Sequence, residues 1–298
     1  MDRLQTLEMF VAVADRGGFA AAARALRVSP PAVTRGIAEL EARLGVVMFH
    51  RSTRAVTLTD EGAGFLEKAR QIINDLGEAE RAMSGAQSEP RGQLYVTAPV
   101  AFGRLHVLPV VTELLDRHAA LNIRMMLIDR NVRMIEEGID VAVRIGRLAD
   151  SALKAVQIGA VRQVLAASPA YLARSGVPDA PEDLLHHHLI ASTGPRAANE
   201  WRFGARHEIQ IAVQPRLLVN TVDAAVAAAE AGAGIVNLLS YQVEDALGAG
   251  RLIEVLRPNA PDALPVHLLF EASRSGAAAT RAFVDAMRER GRTHNWRL

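Results

Sequence analysis

Cysteine is absent from this chain of 298 residues. That excludes disulfides, thiolate metal ligands and thiol redox sensing, and it fits a reducing cytoplasm. Lysine is almost missing too. Only Lys68 and Lys154 occur among 34 basic residues, a bias that reads as genome composition. No apolar run approaches the ~18 residues that a membrane-spanning helix needs. The opening MDRLQTLEMFVAVADRGGF lacks the basic, apolar, small-residue order of a secretory signal. A net charge of +1 says nothing about partners by itself. What is present in quantity is apolar residue, 50% of the chain, enough for a large core divided over two domains.

Charge is more informative locally. Residues 1–54 hold eight arginines (Arg3, Arg16, Arg24, Arg27, Arg35, Arg43, Arg51, Arg54) and five acids (Asp2, Glu8, Asp15, Glu39, Glu41), an excess of three positive charges. The same stretch has a clear pattern. Leu4, Leu7, Phe10, Val11 and Ala14 are spaced as on a helix, which Gly17-Gly18 ends. A short Ala-rich helix spans 19–26, and the turn Arg27-Val28-Ser29 leads into a longer helix from Pro30 to about Leu44. Ser29 suits its N-cap, Pro30 its first position and Gly45 its close, while Val33, Ile37, Leu40 and Leu44 form one apolar stripe. Two helices joined by about three residues make a helix-turn-helix. Residues 46–49 and 55–58 then read as short strands around the basic turn His50-Arg51-Ser52-Thr53-Arg54, a β-hairpin wing.

Thr59 caps a long helix with Asp60 and Glu61 in its first turn. Its apolar positions Phe65, Ala69, Ile72, Leu76, Ala79 and Met83 alternate steps of four and three, the period of a heptad seam. This stripe either joins two copies of the chain or packs on its own domain. A Gly-, Ser-, Glu- and Pro-rich linker follows at 84–92. Beyond it strands and helices alternate: strands at 94–97, 122–129, 140–145, 161–167, 189–192 and 265–270, helices at 102–118, 133–137, 221–231 and 277–290. Such alternation predicts parallel sheets with helices on both faces. The fold class is therefore an N-terminal winged helix-turn-helix followed by a larger α/β region.

The stretch FVAVADRGGFAAAARALRVSPPAVTRGIAELEARLGVVMFHRSTRAVTLTDEG resembles the LysR-type transcriptional regulators, through Phe19, Ala22, Ala23, Leu26, Ser29, Ala32, Val33, Arg35, Ile37, Leu40, Glu41, Leu44, Gly45, Phe49, Arg51, Thr57, Thr59 and Gly62. GIDVAVRIG, VLAASPAYLARSG and AAEAGAGIVNLLSYQVEDALGAGRLIEVL look like the same family's effector domain, so the resemblance covers nearly the whole chain. The sequence departs from the family pattern at Thr34 and Gly36. The resemblance implies a DNA-binding domain at 1–59, a dimerisation helix at 60–87, a hinge at 88–92, and an effector domain at 93–298. Within the last it implies two α/β subdomains, 93–162 plus 266–298 and 163–265, resembling periplasmic binding proteins, with a small-molecule cleft between them. It also implies a homodimer, commonly a homotetramer, acting on promoter DNA in the cytoplasm, with RNA polymerase as a further partner.

In this frame the leading edge of the third helix enters the major groove. Pro30, Pro31, Thr34 and Arg35 face the bases; Arg35 can fork onto guanine O6 and N7, or pair with Glu39 four residues on. Ser29 donates to a phosphate, or only caps. Arg51, Thr53 and Arg54 of the wing meet phosphates or a narrow minor groove. Gly36 leaves a gap in this surface. In doubly wound sheets ligands sit beyond the strand carboxyl ends. That points to Thr97, Ala98, Pro99, Val100, Phe102, Arg144, Thr193, Gly194, Asn220 and Thr221 as effector residues. The set suits a small organic anion with an apolar body against Phe102 or Val100. Thr97 could instead cap the next helix, and Arg144 could pair with Asp140 or Asp129.

No cofactor and no metal are expected. His186-His187-His188 point in divergent directions without supporting acids, which reads as a solvated loop. Gly232-Ala233-Gly234 follows a helix and precedes a strand, the wrong order for a dinucleotide fingerprint. An enzyme reading finds no paired carboxylates in a recognisable frame, G-x-S-x-G, phosphate loop or metal motif. A solute-binding protein would share the C-terminal fold, but the DNA-binding head argues against export.

Overall fold

The computed structural model describes residues 2–51, 56–83, 89–130, 132–148, 152–193, 199–272 and 277–296. The chain divides into two compact units, Met1–Ser88 and Glu89–Leu298.

The first unit begins with three helices, α1 (Arg3–Arg16), α2 (Phe19–Leu26) and α3 (Pro30–Leu44). Phe10, Val13, Ala22, Ala23, Val33, Ile37 and Leu40 close around one core, to which Met48 and Phe49 add from the wing. Gly36 lies in the buried stripe of α3 with Val33, Ile37 and Leu40. The expected gap in the outward surface is therefore not there: position 36 follows 33 by one helical turn and faces inward. Arg27 closes α2 with φ 56 and ψ 39, a left-handed conformation more natural to glycine.

Strands β1 (Phe49–Arg51) and β2 (Val56–Leu58) pair antiparallel, Phe49 opposite Leu58 and Arg51 opposite Val56. The first strand thus starts three residues later than expected. Residues 46–48 are held to α3 and to the next helix instead: the Val46 N–H donates to the Glu41 carbonyl, and the Val47 carbonyl accepts from the Thr59 hydroxyl at 2.7 Å. His50 and Arg51 consequently belong to the strand, not the turn. Thr59 also accepts the Gly62 N–H at 3.0 Å, opening α4 (Asp60–Met83). Glycine is required at 62, where a Cβ would press into the Met48 carbonyl oxygen.

The second unit carries two five-stranded sheets. In the first, β3 (Gly92–Ala98), β4 (Leu121–Leu127), β5 (Val141–Ile145), β6 (Lys154–Val161) and β14 (Leu264–Phe270) stand in the order β4-β3-β5-β14-β6. In the second, β7 (Gln163–Ala167), β8 (Leu189–Ser192), β11 (Leu217–Val219), β12 (Ile235–Leu239) and β13 (Ile253–Val255) stand in the order β11-β8-β12-β7-β13. A separate hairpin joins β9 (Glu200–Phe203) to β10 (Ile209–Ala212).

Both sheets are mixed, not parallel as expected. β3, β4 and β5 run parallel, while β14 is antiparallel to β5 and β6. The chain passes from sheet one to sheet two between Val161 and Gln163 and returns at Leu264, so strands leave and re-enter in opposite senses. The stretch read as one strand at 161–167 is two, β6 and β7, broken at Arg162.

Alternation sorts the side chains. Leu165 and Ala167 pack with Tyr171, Leu184, Trp201 and Phe203 on one face, Val164 and Ala166 with helices α8 (Val222–Glu230) and α9 (Ser240–Gly248) on the other. Sheet one has its main core against α10 (Ala278–Thr293) and the helix after β3. Its opposite face is covered by Met134 and Ile139. These flank hydrogen-bonded turns where a short helix was expected at 133–137; the Ile139 N–H bonds the Met134 carbonyl.

The helix after β3 changes character along its length. It is α-helical at Val100–Phe102 (α5), π-helical at Gly103–Val107, and α-helical again at Leu108–Arg117 (α6). The Leu108 N–H reaches back five residues to the Gly103 carbonyl. Pro109 supplies the cause: it has no N–H to offer the Leu105 carbonyl, and its ring would collide with that carbonyl in a regular α-helix. Gly103 lets the widened turn lie on the sheet, since a Cβ there would enter the Leu127 side chain.

Candidate functional site

The sequence-predicted DNA-contacting residues gather on one edge of the first unit. Ser29, Pro30, Pro31, Thr34 and Arg35 are all exposed at the leading end of α3. Ser29 is the N-cap residue by position, with extended φ and ψ, but its side chain makes no capping hydrogen bond; its carbonyl accepts from Ala32 and Val33. The Thr34 hydroxyl donates to the Pro30 carbonyl at 3.1 Å, so its hydrogen is already used inside the helix. Arg51 is fixed by two neighbours. Its guanidinium donates to Glu41 Oε2 at 2.9 Å and stands 4.7 Å from the centre of the Phe19 ring. Thr53 and Arg54 lie outside the described residues. The Glu41 link went unread in the sequence; the only hint was an acid in a helix shortly before the basic wing.

Along α4, Phe65 and Ala69 pack into the core of the unit, whereas Ile72 and Leu76 are 49% and 39% exposed. The apolar stripe therefore has two uses: its first part seals the domain, while Ile72 and Leu76 face outward; the side chains of Ala79 and Met83 lie outside those described.

In the second unit the carboxyl ends of β3, β4 and β5 converge. Beyond β3, Ala98 is buried and Val100 is 42% exposed. The Val100 N–H donates to Asp129 at 3.0 Å. Arg144, at the end of β5, reaches the Arg130 carbonyl at 3.5 Å. Asp140, one candidate for its partner, instead accepts the Tyr95 N–H at 2.7 Å. Partial burial lowers the Arg144 pKa, opposed by the nearby Glu137 carboxylate and reinforced by Arg130. Glu137 is itself held low by its hydrogen bond from Arg130.

Besides Ala98, two predicted effector residues do not reach this surface with their side chains. Thr97 is fully buried and donates its hydroxyl to the Met126 carbonyl at 2.8 Å, so it is not a helix cap either. Phe102 is also fully buried, its ring edge-on to Tyr241 and Trp296 at 5.2 and 5.0 Å. Val100 and Phe102 lie two residues apart on a helix and so on opposite sides of it, which turns position 102 into the core while Val100 faces out.

At the second sheet, Thr193, Asn220 and Thr221 are exposed beyond β8 and β11. The Thr193 N–H donates to the Val219 carbonyl at 2.8 Å, and Thr221 caps α8 by accepting the Ala224 N–H at 3.3 Å. Gly194 lies outside the described residues. Arg104, in the π-helical turn, links the two groups by donating to Asp223 in the first turn of α8 at 2.8 Å.

His187 and His188 serve the second core. Tyr171 Oη lies 3.1 Å from His187 Nδ1 and accepts the His188 N–H at 2.8 Å. Among the described residues no group of three His, Cys, Asp or Glu is arranged to hold a metal, and no helix is long and apolar enough to cross a membrane.

Residues 4–63 match the family described as "Bacterial regulatory helix-turn-helix protein, lysR family", and residues 87–292 match "LysR substrate binding domain". The chain belongs to the LysR-type transcriptional regulators. A transcriptional repressor of Pseudomonas aeruginosa (strain UCBPP-PA14) is 31% identical over 97% of this chain and 92% of its own length. The regulator PtxR, also of Pseudomonas aeruginosa, is 32% identical over 96% of this chain and 92% of its own length. The structure of CrgA from Neisseria meningitidis superposes with a TM-score of 0.62 at 28% identity, covering 96% of this chain and 97% of that one. These relatives are transcription regulators and not enzymes. This LysR-type chain thus joins a DNA-binding winged helix-turn-helix to an effector-binding α/β domain with mixed sheets.

Proposed function

We propose that this regulator grips promoter DNA as a homodimer, Arg35 reading base edges while Ser29 and Arg51 hold phosphates. The exposed leading edge of α3 carries this reading: five polar or proline side chains stand free of the core while Val33, Gly36, Ile37 and Leu40 anchor the helix behind them. The unbonded Ser29 side chain supports a phosphate role over pure capping. Thr53 and Arg54 extend the wing contact, and Pro30, Pro31 and Thr34 line the groove.

Residues 60–87 join the two copies, with Ile72 and Leu76 in the seam, and residues 88–92 act as the hinge. Pairing of the effector domains (93–298) then gives a tetramer, which sits on a two-fold promoter site in the cytoplasm and contacts RNA polymerase. The effector is a small organic anion held between the subdomains (93–162 with 266–298, and 163–265). Its carboxylate meets Arg144 and replaces Asp129 on the Val100 N–H, its apolar body lies on Val100 and Pro99, and Thr193, Gly194, Asn220 and Thr221 face it. Thr97, Ala98 and Phe102 support the site from beneath.

Titration of the chain against duplex DNA from its own upstream region, at low ionic strength, tests the DNA reading; absence of binding there overturns it. A panel of carboxylates in a thermal-shift assay tests the effector class. No shift with any of them, alongside a shift with cationic or neutral metabolites, rejects the anion.

A further inference from the structure

Two inter-subdomain connections come off the same π-helical turn, and they differ in kind. On the inner side Phe102 and His106 are buried against Tyr241 of α9 and Trp296, with ring centroids 5.2 to 5.7 Å apart for the His106–Trp296, His106–Tyr241 and Phe102–Tyr241 pairs. The Ser240 hydroxyl donates to the Trp296 carbonyl, and the Ser240 N–H donates to the Arg162 carbonyl at 2.8 Å. Arg162 is the residue at which the chain crosses between sheets, and it is paired with the largely buried Glu254. This side is a sealed pivot. On the outer side Arg104, two residues from both Phe102 and His106 and so on the opposite side of the turn, bonds Asp223 with both side chains more than half exposed.

We propose that Arg104 and Asp223 form a salt-sensitive latch that biases the two subdomains toward closure, with the π-helical turn as its rigid mount. Rotation about the buried pivot separates this exposed ion pair and lifts the half-buried Val222, beside Asp223, from the sheet-one core. An exposed pair of this kind shifts a two-state equilibrium by up to about fivefold. That is large enough to set the resting population and small enough for a ligand in the cleft to override. Added salt screens it. The latch acts on the cleft assigned above, but closure itself requires no effector and no DNA.

The absence of cysteine makes the test direct. Asp285→Cys on α10 and Glu182→Cys in the second subdomain give two spin-label sites in the full-length chain, diluted with excess unlabelled chain to suppress distances between copies. Double electron–electron resonance then reads the intersubdomain distance. Arg104→Ala and Asp223→Ala are each expected to lengthen and broaden the distribution, as high salt does in the parent. The charge swap Arg104→Asp with Asp223→Arg is expected to restore it. An unchanged distribution in the single variants overturns the latch, and so does a change that the swap does not reverse. Because the readout is a distance measured without ligand, failure here is separate from failure of the effector assignment.

Discussion

Glu41 ties the recognition helix to the wing: one carboxylate oxygen accepts from Arg51 at 2.9 Å while the other accepts the backbone N–H of Met48 at 2.9 Å. Met48 is buried, so removing the acid strands a backbone donor away from water as well as freeing Arg51. Glu41→Ala is expected to cost about 1–3 kcal/mol of stability in the N-terminal unit, the usual cost of a buried donor left unpaired. Thermal denaturation of the full chain, followed by circular dichroism, measures it. Unchanged stability would show that water replaces the carboxylate at no cost.

Arg35 and Arg51 should separate specificity from affinity. Arg35→Ala is expected to lose about 1–3 kcal/mol on the specific duplex and much less on a scrambled one. Arg51→Ala should weaken both alike and reduce the slope of log K against log salt by about one. Fluorescence anisotropy over a salt series distinguishes the two patterns. Equal losses on both duplexes for Arg35→Ala would remove it from base reading.

The N-terminal helices were legible because each carried its own signals: Ser29-Pro30 at the start of α3, Gly45 at its end, and a stripe at 33, 37 and 40 between them. The wing was displaced because what sets its start is a side chain seven residues away, Glu41, bonding Met48 in place of a strand partner. In the effector domain local pattern identified β3 and β5 but not the antiparallel return of β14, which depends on where the chain re-enters the sheet. Thr97 and Phe102 lie near a strand end, but a two-residue periodicity and a turn of helix decide which way they point, and both point inward. The Arg104–Asp223 bond joins residues 119 apart and left no trace in the local sequence.

Arg27 holds a conformation that costs an L-residue about 1–2 kcal/mol relative to its right-handed alternative. Its side chain is exposed, so little packing is lost on removing it. Arg27→Gly is expected to stabilise the N-terminal unit by about 1 kcal/mol, read as a higher unfolding midpoint in denaturant. A lower midpoint would mean that the arginine stem contributes more than the strain costs.

Ile72 and Leu76 face outward from a helix whose earlier apolar residues are covered. A charge at either position leaves the fold of a single chain intact and opposes burial against a second copy. Ile72→Glu and Leu76→Glu together are expected to shift the chain toward monomer in sedimentation velocity at micromolar concentration. Operator affinity should fall with the loss of two-site binding. Oligomers of unchanged size would place the dimer contact elsewhere.

His106 is one group through which acid should loosen the effector domain, beside His187 and His267, whose pKa values burial also lowers. Burial first, then the charges of His294 and Arg290, lower its pKa from 6.5 to about 3, and among the described residues neither ring nitrogen has a hydrogen-bond partner. The folded chain therefore keeps this imidazole neutral between pH 6.5 and about 3, while the unfolded chain binds a proton there. More protons on the unfolded state means that stability rises with pH across the window and is lost as pH falls through it. One such group contributes a slope of at most about 1.4 kcal/mol per pH unit. His106→Leu removes that proton. Whatever its packing does to stability at pH 7.5, the difference from the parent should move in the variant's favour as pH drops toward 5, in urea titrations at each pH. Parallel pH dependences for parent and variant would assign the acid sensitivity to other groups and leave His106 a packing residue only.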